Sequence, residues 1–253
     1  MNTTFSRSLV NQAILTALSV TEHFDFHLPD YARWSPGDWE SADTTFDEIR
    51  DCMLGWDVTD FGSGDFRKIG RVLFTLRNGK TRDARYSKPY AEKLLIDPEG
   101  QRAPAHYHRS KQEDIICRCG GNLLVQLTAR DENGEPTENT FPIQKDGRTL
   151  MLGAGEIVKL RPGESLAIPP GTIHQFWGEE GTGEKFHGIG FTLSSEISSL
   201  CDDWNDNVFF DSWAVRFPRI AEDVKPEHLL CHEYPVAMDK WKAGTGLVGE
   251  VGR

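Results

Sequence analysis

Residues 100–120 read GQRAPAHYHRSKQEDIICRCG, and this stretch decides the fold. His106 and His108 alternate across Tyr107, so on a strand both imidazoles leave the same face. Arg109 to Gln112 suit a turn, and Asp114 to Cys119 are apolar enough to form a returning strand. A hairpin of this kind brings Glu113 beside the two imidazoles. Three N/O donors converging in this way suit a divalent ion of the Mn, Fe, Zn, Ni or Co group.

A second stretch, Gly163 to Gly178, reads GESLAIPPGTIHQFWG. Pro169-Pro170-Gly171 makes a turn, and His174 then opens an apolar segment as the natural fourth ligand. Together the two stretches resemble the paired signatures of the cupin superfamily. Gly100, His106, His108, Glu113 and Gly120 fill the first, G-x5-H-x-H-x4-E-x6-G; Gly163, Pro169, Gly171 and His174 fill the second, G-x5-P-x-G-x2-H-x3-N. Gly178 stands where Asn is usual, which touches a turn position and no ligand. A lone H-x-H is more often surface or core than ligand. Glu113 and the downstream Pro-Gly-x-x-His reverse those odds.

The resemblance implies an all-β fold, a cupin β-barrel of the double-stranded β-helix or jelly-roll type. The rest of the chain agrees. Short strands at Ile69–Leu76, Lys93–Ile96, Asn122–Arg130, Gly155–Leu160, Ser165–Ile168, His174–Trp177 and Lys185–Leu193 are punctuated by Gly and Pro. Asn78-Gly79 reads as a tight turn, and DENGEPTEN at 131–139 as a polar one. Leu9, Val10, Ile14, Leu15 and Leu18 are close to helical spacing, and 41–54 suits a second helix capped by Ser41 or Asp43. Prolines and aromatics between Phe24 and Asp38 read as chain wrapping a core. Past Ser194 the pattern is weaker, with a late strand at Leu229–Pro235. We expect one domain: helical decoration at 1–65, the barrel at 66–240 and a poorly ordered tail at 241–253.

Composition narrows the function. The 253 residues carry a net charge of −11 without an acidic tail, which argues against nucleic acid or an anionic membrane as partner. No apolar run is long enough to span a bilayer, and the N-terminus lacks the features of a signal peptide. Five cysteines without regular spacing (52, 117, 119, 201 and 231) point to reduced thiols and a cytoplasmic location.

The run from Ala91 to Leu127 resembles the D-lyxose isomerase family. So do Asp202-Asp203-x-Asn205, Arg216-Phe217-x-x-Ile220-x-Glu222-Asp223 and Glu233-Tyr234-Pro235. That resemblance implies interconversion of D-lyxose with D-xylulose and of D-mannose with D-fructose, a preference for Mn²⁺ (with Co²⁺, Fe²⁺, Zn²⁺ or Ni²⁺ as substitutes) and a homodimer. It makes His106, His108, Glu113 and His174 the metal ligands. Moving a carbonyl from C1 to C2 requires a proton to leave C2 and return at C1 through a cis-enediol. A cation on the flanking oxygens and a tuned acid/base group suit that task. Lys93, with its pKa depressed by the cation, Glu113, Glu233 and Asp203 are the acid/base candidates. Arg216 suits a sugar oxygen, and Phe176 or Trp177 an apolar wall; His187 reads as a core histidine. The alternatives are a sugar-phosphate isomerase, which would need a Lys/Arg cluster at the pocket mouth that Arg109 and Lys111 alone do not establish, a non-haem iron oxygenase, and a metal-stabilised sugar-binding cupin without activity.

Overall fold

The computed structural model describes residues 4–238. Helix α1 (Arg7–His23) starts where the Ser6 hydroxyl accepts from the Leu9 amide at 3.4 Å, filling an otherwise orphaned donor. Val10, Ile14, Ala17 and Val20 fall on one face and are buried. Two short helices follow, α2 (Pro36–Ser41) and α3 (Asp47–Asp51). α2 opens on a Ser35/Asp38 capping box, and Asp43 caps the single 3₁₀ turn that leads into α3.

The first strands are β1 (Gly55–Thr59), β2 (Arg71–Arg77), β3 (Tyr90–Pro98), β4 (His106–His108), β5 (Glu113–Gly120) and β6 (Leu123–Thr128). Next come β7 (Phe141–Lys145), β8 (Arg148–Leu152), β9 (Glu156–Leu160) and β10 (Ser165–Ile168). The last are β11 (Ile173–Gly178), β12 (Glu184–Phe186), β13 (Ile189–Ser199) and β14 (Asn207–Phe209). They form two antiparallel sheets. The larger runs β1-β2-β3-β13-β5-β10-β7-β8 with β12 on the β13 edge, and the smaller runs β14-β4-β11-β6-β9.

The sheets pack face to face, as in a cupin. Leu73, Leu95, Ile115, Cys117 and Leu166 of the larger meet Leu123, Val125, Leu127, Val158 and Phe176 of the smaller. The other face of the larger sheet is covered by α1. Val10, Ile14 and Val20 pack with Trp56, Phe74, Leu94, Ile96 and Leu193. Burying such a side chain contributes roughly 1.5–3 kcal/mol, so the helix is a second core rather than an ornament. Strand alternation on β3 divides the two layers: Leu94 and Ile96 face the helix, while Leu95 faces the smaller sheet.

Several elements differ from the sequence reading. A strand, β1, occupies Gly55–Thr59, where none is expected, and pairs with β2. Asn78-Gly79 is not a tight hairpin turn. The β2–β3 connection runs over 78–89, and the buried Asn78 side chain ties it down by donating to the Cys52 and Cys201 carbonyls. The extra length between the two metal motifs holds a β7–β8 hairpin beside the polar turn at 131–139. Lys185–Leu193 is two strands, because His187 and Gly188 both take positive φ, 48° and 82°, and reverse the chain. His187 is therefore exposed in a turn and not in the core. Leu229–Pro235 is irregular chain with one turn at 231–232, not a strand, and the tail at 241–253 lies outside the described residues.

Candidate metal centre and the cavity around it

Strand β4 is three residues long and lies between β11 and β14. Its register sets His106 opposite His174 on one side and Phe209 on the other, and His108 opposite Asn207. The ring centroids of His106 and His174 are 4.4 Å apart, those of His108 and His174 5.3 Å. One ring nitrogen from each of the three imidazoles lies within 4.8 Å of those of the other two.

The outer hydrogen bonds fix how the rings point. His106 Nδ1 lies 2.8 Å from the Pro104 carbonyl and His174 Nδ1 lies 2.9 Å from that of Thr172. A carbonyl can only accept, so each Nδ1 carries the proton and each Nε2 keeps a free lone pair. Glu113, the first residue of β5, reaches the same point. Its carboxylate lies 2.9 Å from His174 Nε2 and 3.5 Å from His108 Nε2. These approaches are not aligned as hydrogen bonds: Glu113 Oε1 and His174 Nε2 are buried without a partner, as is His108 Nδ1. Leaving buried polar atoms unpaired costs about 1–3 kcal/mol each. A cation among them would satisfy the carboxylate and the free imidazole lone pairs together, so this donor set fits a divalent ion.

The electrostatics prepare the donors. Burial, helped by the neighbouring imidazoles, pushes His106 well below the usual histidine value, and burial lowers His108; both are neutral at pH 7, as ligands must be. Burial alone would raise the Glu113 carboxyl. The Lys111 ammonium, 2.7 Å away, and the imidazoles outweigh it and hold the group well below the usual carboxylate range.

The cavity in front of the imidazoles brings together most of the sequence-predicted residues. Lys93, His106, His108, Glu113, His174, Phe176, Asp203 and Arg216 all line it. Phe176 shares the His174 face of β11, with the Arg71 guanidinium 4.3 Å from its ring centre. Two candidates lie elsewhere. Trp177 points to the opposite face of β11 against Arg102, outside the cavity lining. Glu233 accepts from Arg7 of α1 and from the Leu230 amide, tying the C-terminal segment to the helix.

Lys93 reaches the cavity, but its charge state differs from the expectation of a depressed pKa. Burial pushes the amine down, yet Asp203, Cys201 and Glu196 outweigh that and hold it well above the usual lysine value. Its Nζ lies 3.1 Å from both Asp203 oxygens. Arg216 is likewise engaged, donating to Asp57 and lying 3.5 Å from Asp203.

Sequence reasoning missed Lys111 and Glu196. Lys111 is no part of an open basic patch: its buried Nζ bridges Glu113 at 2.7 Å and Glu196 at 2.6 Å, while Arg109 is exposed. Glu196 is the single charged residue in IGFTLSSEISS of β13, and an acidic group amid apolar and small residues is the signal that could have found it. Phe61, also lining the cavity, sits at φ 55°. Asp60 pins its loop by accepting from the Gly62 and Gly64 amides.

The comparisons with known proteins agree with this geometry. The sequence profile described as D-lyxose isomerase matches residues 5–234. This chain belongs to the D-lyxose isomerase family. A D-lyxose/D-mannose isomerase of Serratia proteamaculans is 43% identical over 228 residues, covering 90% of this chain and 96% of that protein. Another, from Escherichia coli O157:H7, is 40% identical, covering 90% and 97%. Among solved structures, the L-ribose isomerase of Cellulomonas parahominis with L-ribose aligns at a TM-score of 0.56 and 16% identity, over 88% of this chain and 99% of that one; that likeness concerns the fold. The chain is thus a sugar isomerase of the D-lyxose/D-mannose type, with a histidine triad able to hold a metal. No helix among the described residues is long and apolar enough to cross a membrane.

Proposed function

We propose that this isomerase interconverts D-lyxose with D-xylulose and D-mannose with D-fructose, with Mn²⁺ held by His106, His108, Glu113 and His174. Co²⁺, Fe²⁺, Zn²⁺ or Ni²⁺ would suit the same donors. When bound, the ion would polarise the sugar oxygens on either side of the migrating carbonyl and offset the charge that develops there. One observation carries the reading: three imidazoles, two of them braced from behind by backbone carbonyls, and the unpaired Glu113 oxygen converge in a buried cavity that also holds a second carboxylate, Glu196.

The residues divide the remaining work. A proton must leave C2 and return at C1, and a carboxylate facing the cavity can carry it. Glu196 is free of imidazole contacts and bonded to Lys111, so it is the group left to accept and return that proton. Burial would raise it, but Lys111 and Lys93 keep it below the usual glutamate value, ionised and ready to accept. Lys111 spans both carboxylates and sets the spacing between the ligand and the base. Lys93, kept as an ammonium by Asp203, donates to a sugar oxygen rather than acting as base. Phe61, Phe176 and Phe209 present apolar edges to the sugar's C–H face and exclude water from the carbon that exchanges its proton. A homodimer and a cytoplasmic location complete this reading.

The test is ketose formation from D-lyxose, D-mannose, D-xylose and mannose 6-phosphate by chelator-stripped protein, with and without added Mn²⁺. Mn²⁺-dependent xylulose and fructose from the first two sugars are expected. Turnover of the phosphate alone would replace the free-sugar assignment, and no ketose from any of the four by metal-loaded protein would overturn it.

A further inference from the structure

A second cavity, lined among others by Cys52, Asn78, Lys80, Cys201 and Trp204, shares Lys93 and Asp203 with the metal-facing one. In that shared wall the Lys93 Nζ lies 2.8 Å from the Cys201 Sγ. The same sulfur lies 3.3 Å from Asp203 Oδ1, and Asp203 holds the lysine at 3.1 Å. Amine, thiol and carboxylate therefore form a closed triangle at the edge of a cavity wide enough for small solutes. Nothing in the isomerase chemistry calls for the thiol.

We propose that Lys93 and Cys201 form an oxidative cross-linking site, at which a peroxide joins the lysine nitrogen to the cysteine sulfur through one oxygen atom. The 2.8 Å separation is too long for a direct N–S bond and close to the span of two single bonds meeting at a bent oxygen. The bridge can thus close with little movement of either residue.

The chemistry balances with two molecules of hydrogen peroxide. In the first step the sulfur attacks a peroxide oxygen, the O–O bond breaks, and the thiol becomes a sulfenic acid, S–OH, with release of one water. In the second, Lys93 first gives up its ammonium proton to solvent, and another peroxide then takes two more electrons as the freed amine nitrogen bonds to the sulfenic oxygen. One amine hydrogen and the sulfenic hydrogen leave, and two further waters form. The product is Nζ(H)–O–Sγ, a four-electron oxidation of the pair in which both peroxides are fully reduced.

Asp203 accepts the thiol hydrogen bond and is placed to take the proton as sulfur attacks. Burial and the Asp203 charge push the Cys201 thiol up to about 12. The resting thiol is therefore protonated and inert toward bulky disulfides, and an uncharged oxidant small enough to enter the cavity is the partner that fits. The bridge consumes the Lys93 ammonium. Its effect on turnover rests on the function proposed above; the covalent step itself does not.

The test treats the purified full-length protein with millimolar hydrogen peroxide and reads intact mass and peptide maps under non-reducing conditions. A gain of one oxygen less two hydrogens, about 14 Da, is expected, with the residues around 93 and 201 in one peptide. Dithiothreitol should separate them and restore the starting mass. Cys201→Ser and Lys93→Arg proteins should both lack the cross-linked peptide. Oxygen additions on Cys201 without linkage, a Cys52–Cys201 disulfide, or a linkage between other residues would each overturn the proposal. The wild-type map decides the matter even where a variant folds poorly. An unlinked Lys93 in protein that still makes ketose would refute the cross-link and leave the isomerase reading standing.

Discussion

His174 stands directly opposite His106 in the pairing of β11 with β4, their ring centroids 4.4 Å apart. Each ring is braced from behind by a backbone carbonyl two residues upstream. Replacing His174 with Ala removes a donor that no neighbouring side chain can supply. Bound metal by elemental analysis and turnover should fall together, by more than the roughly 10–100-fold that changes outside the ligand set typically cost. Normal metal content in His174→Ala protein would dismantle the proposed ligand set.

Lys111 is the cation between two buried carboxylates, and removing it should be felt twice. In Lys111→Met, Glu113 and Glu196 lose the charge that most strongly lowers them. Their pKa values rise, and the acid limb of the rate profile moves to higher pH. Uncompensated buried charge costs about 3–5 kcal/mol, which urea denaturation would read. An unmoved acid limb would mean that neither carboxylate takes part in the rate-limiting step.

The Lys93–Asp203 pair predicts a broad stability plateau. Burial raises Asp203, but Lys93 and Arg216 outweigh it and hold the group well below its ordinary value of 3.8. Its contribution is complete above that value and is lost as pH falls through the lower folded one. Lys93 is held well above 10.5, so its share is complete below that pH and is lost as pH rises through the folded value. Denaturation midpoints of wild type and Asp203→Asn across this range should differ most on the plateau and converge in acid. A constant gap at every pH would contradict the linkage.

Phe61 holds a backbone conformation that disfavours any residue carrying a Cβ, φ 55°, while its ring is 4% exposed at the cavity wall. Truncation to Ala keeps the strain and loses the packing, about 3–5 kcal/mol. Truncation to Gly loses the packing but relieves the strain, so Phe61→Gly should unfold at higher urea than Phe61→Ala, by about 1 kcal/mol. Both should raise KM for the sugar more than they lower kcat.

Glu233 tests a different boundary. It bonds Arg7 and the Leu230 amide away from the cavity, so Glu233→Gln should lower the unfolding midpoint while leaving kcat within about 2-fold, as a change outside the reacting geometry does. A large fall in kcat would return this residue to the catalytic group.

The candidate metal centre was legible because the residues proposed as its ligands sit on short strands and turns, where spacing alone fixes direction: His106, His108 and Glu113 are one hairpin, and His174 follows a proline turn. Glu196 was not, because β13 lies between β3 and β5 and is covered on both faces. Such a strand shows no alternation to say which way an acid points. Lys111 reads as a turn residue until the fold buries it. Phe176 and Trp177 both offer an apolar wall in the sequence, yet neighbours on a strand face opposite ways, and only Phe176 shares the His174 side. The β7–β8 hairpin hid in the length between the motifs; its Asp146-Gly147 turn, both at positive φ, is a signal the sequence carries.

The imidazole cage is put together by sheet register. His106 and His174 meet because β4 and β11 pair, and carbonyls of the same chain orient them. Cage and fold therefore form together, and loading need not wait on, or drive, folding. Where a preformed nitrogen and carboxylate pocket offers similar geometry to several ions, affinity follows the general order of divalent metals. If the proposed ligand set holds an ion, its occupant is set by supply as well as affinity: the same polypeptide, matured in a manganese-rich or a zinc-rich cell, would take up a different ion.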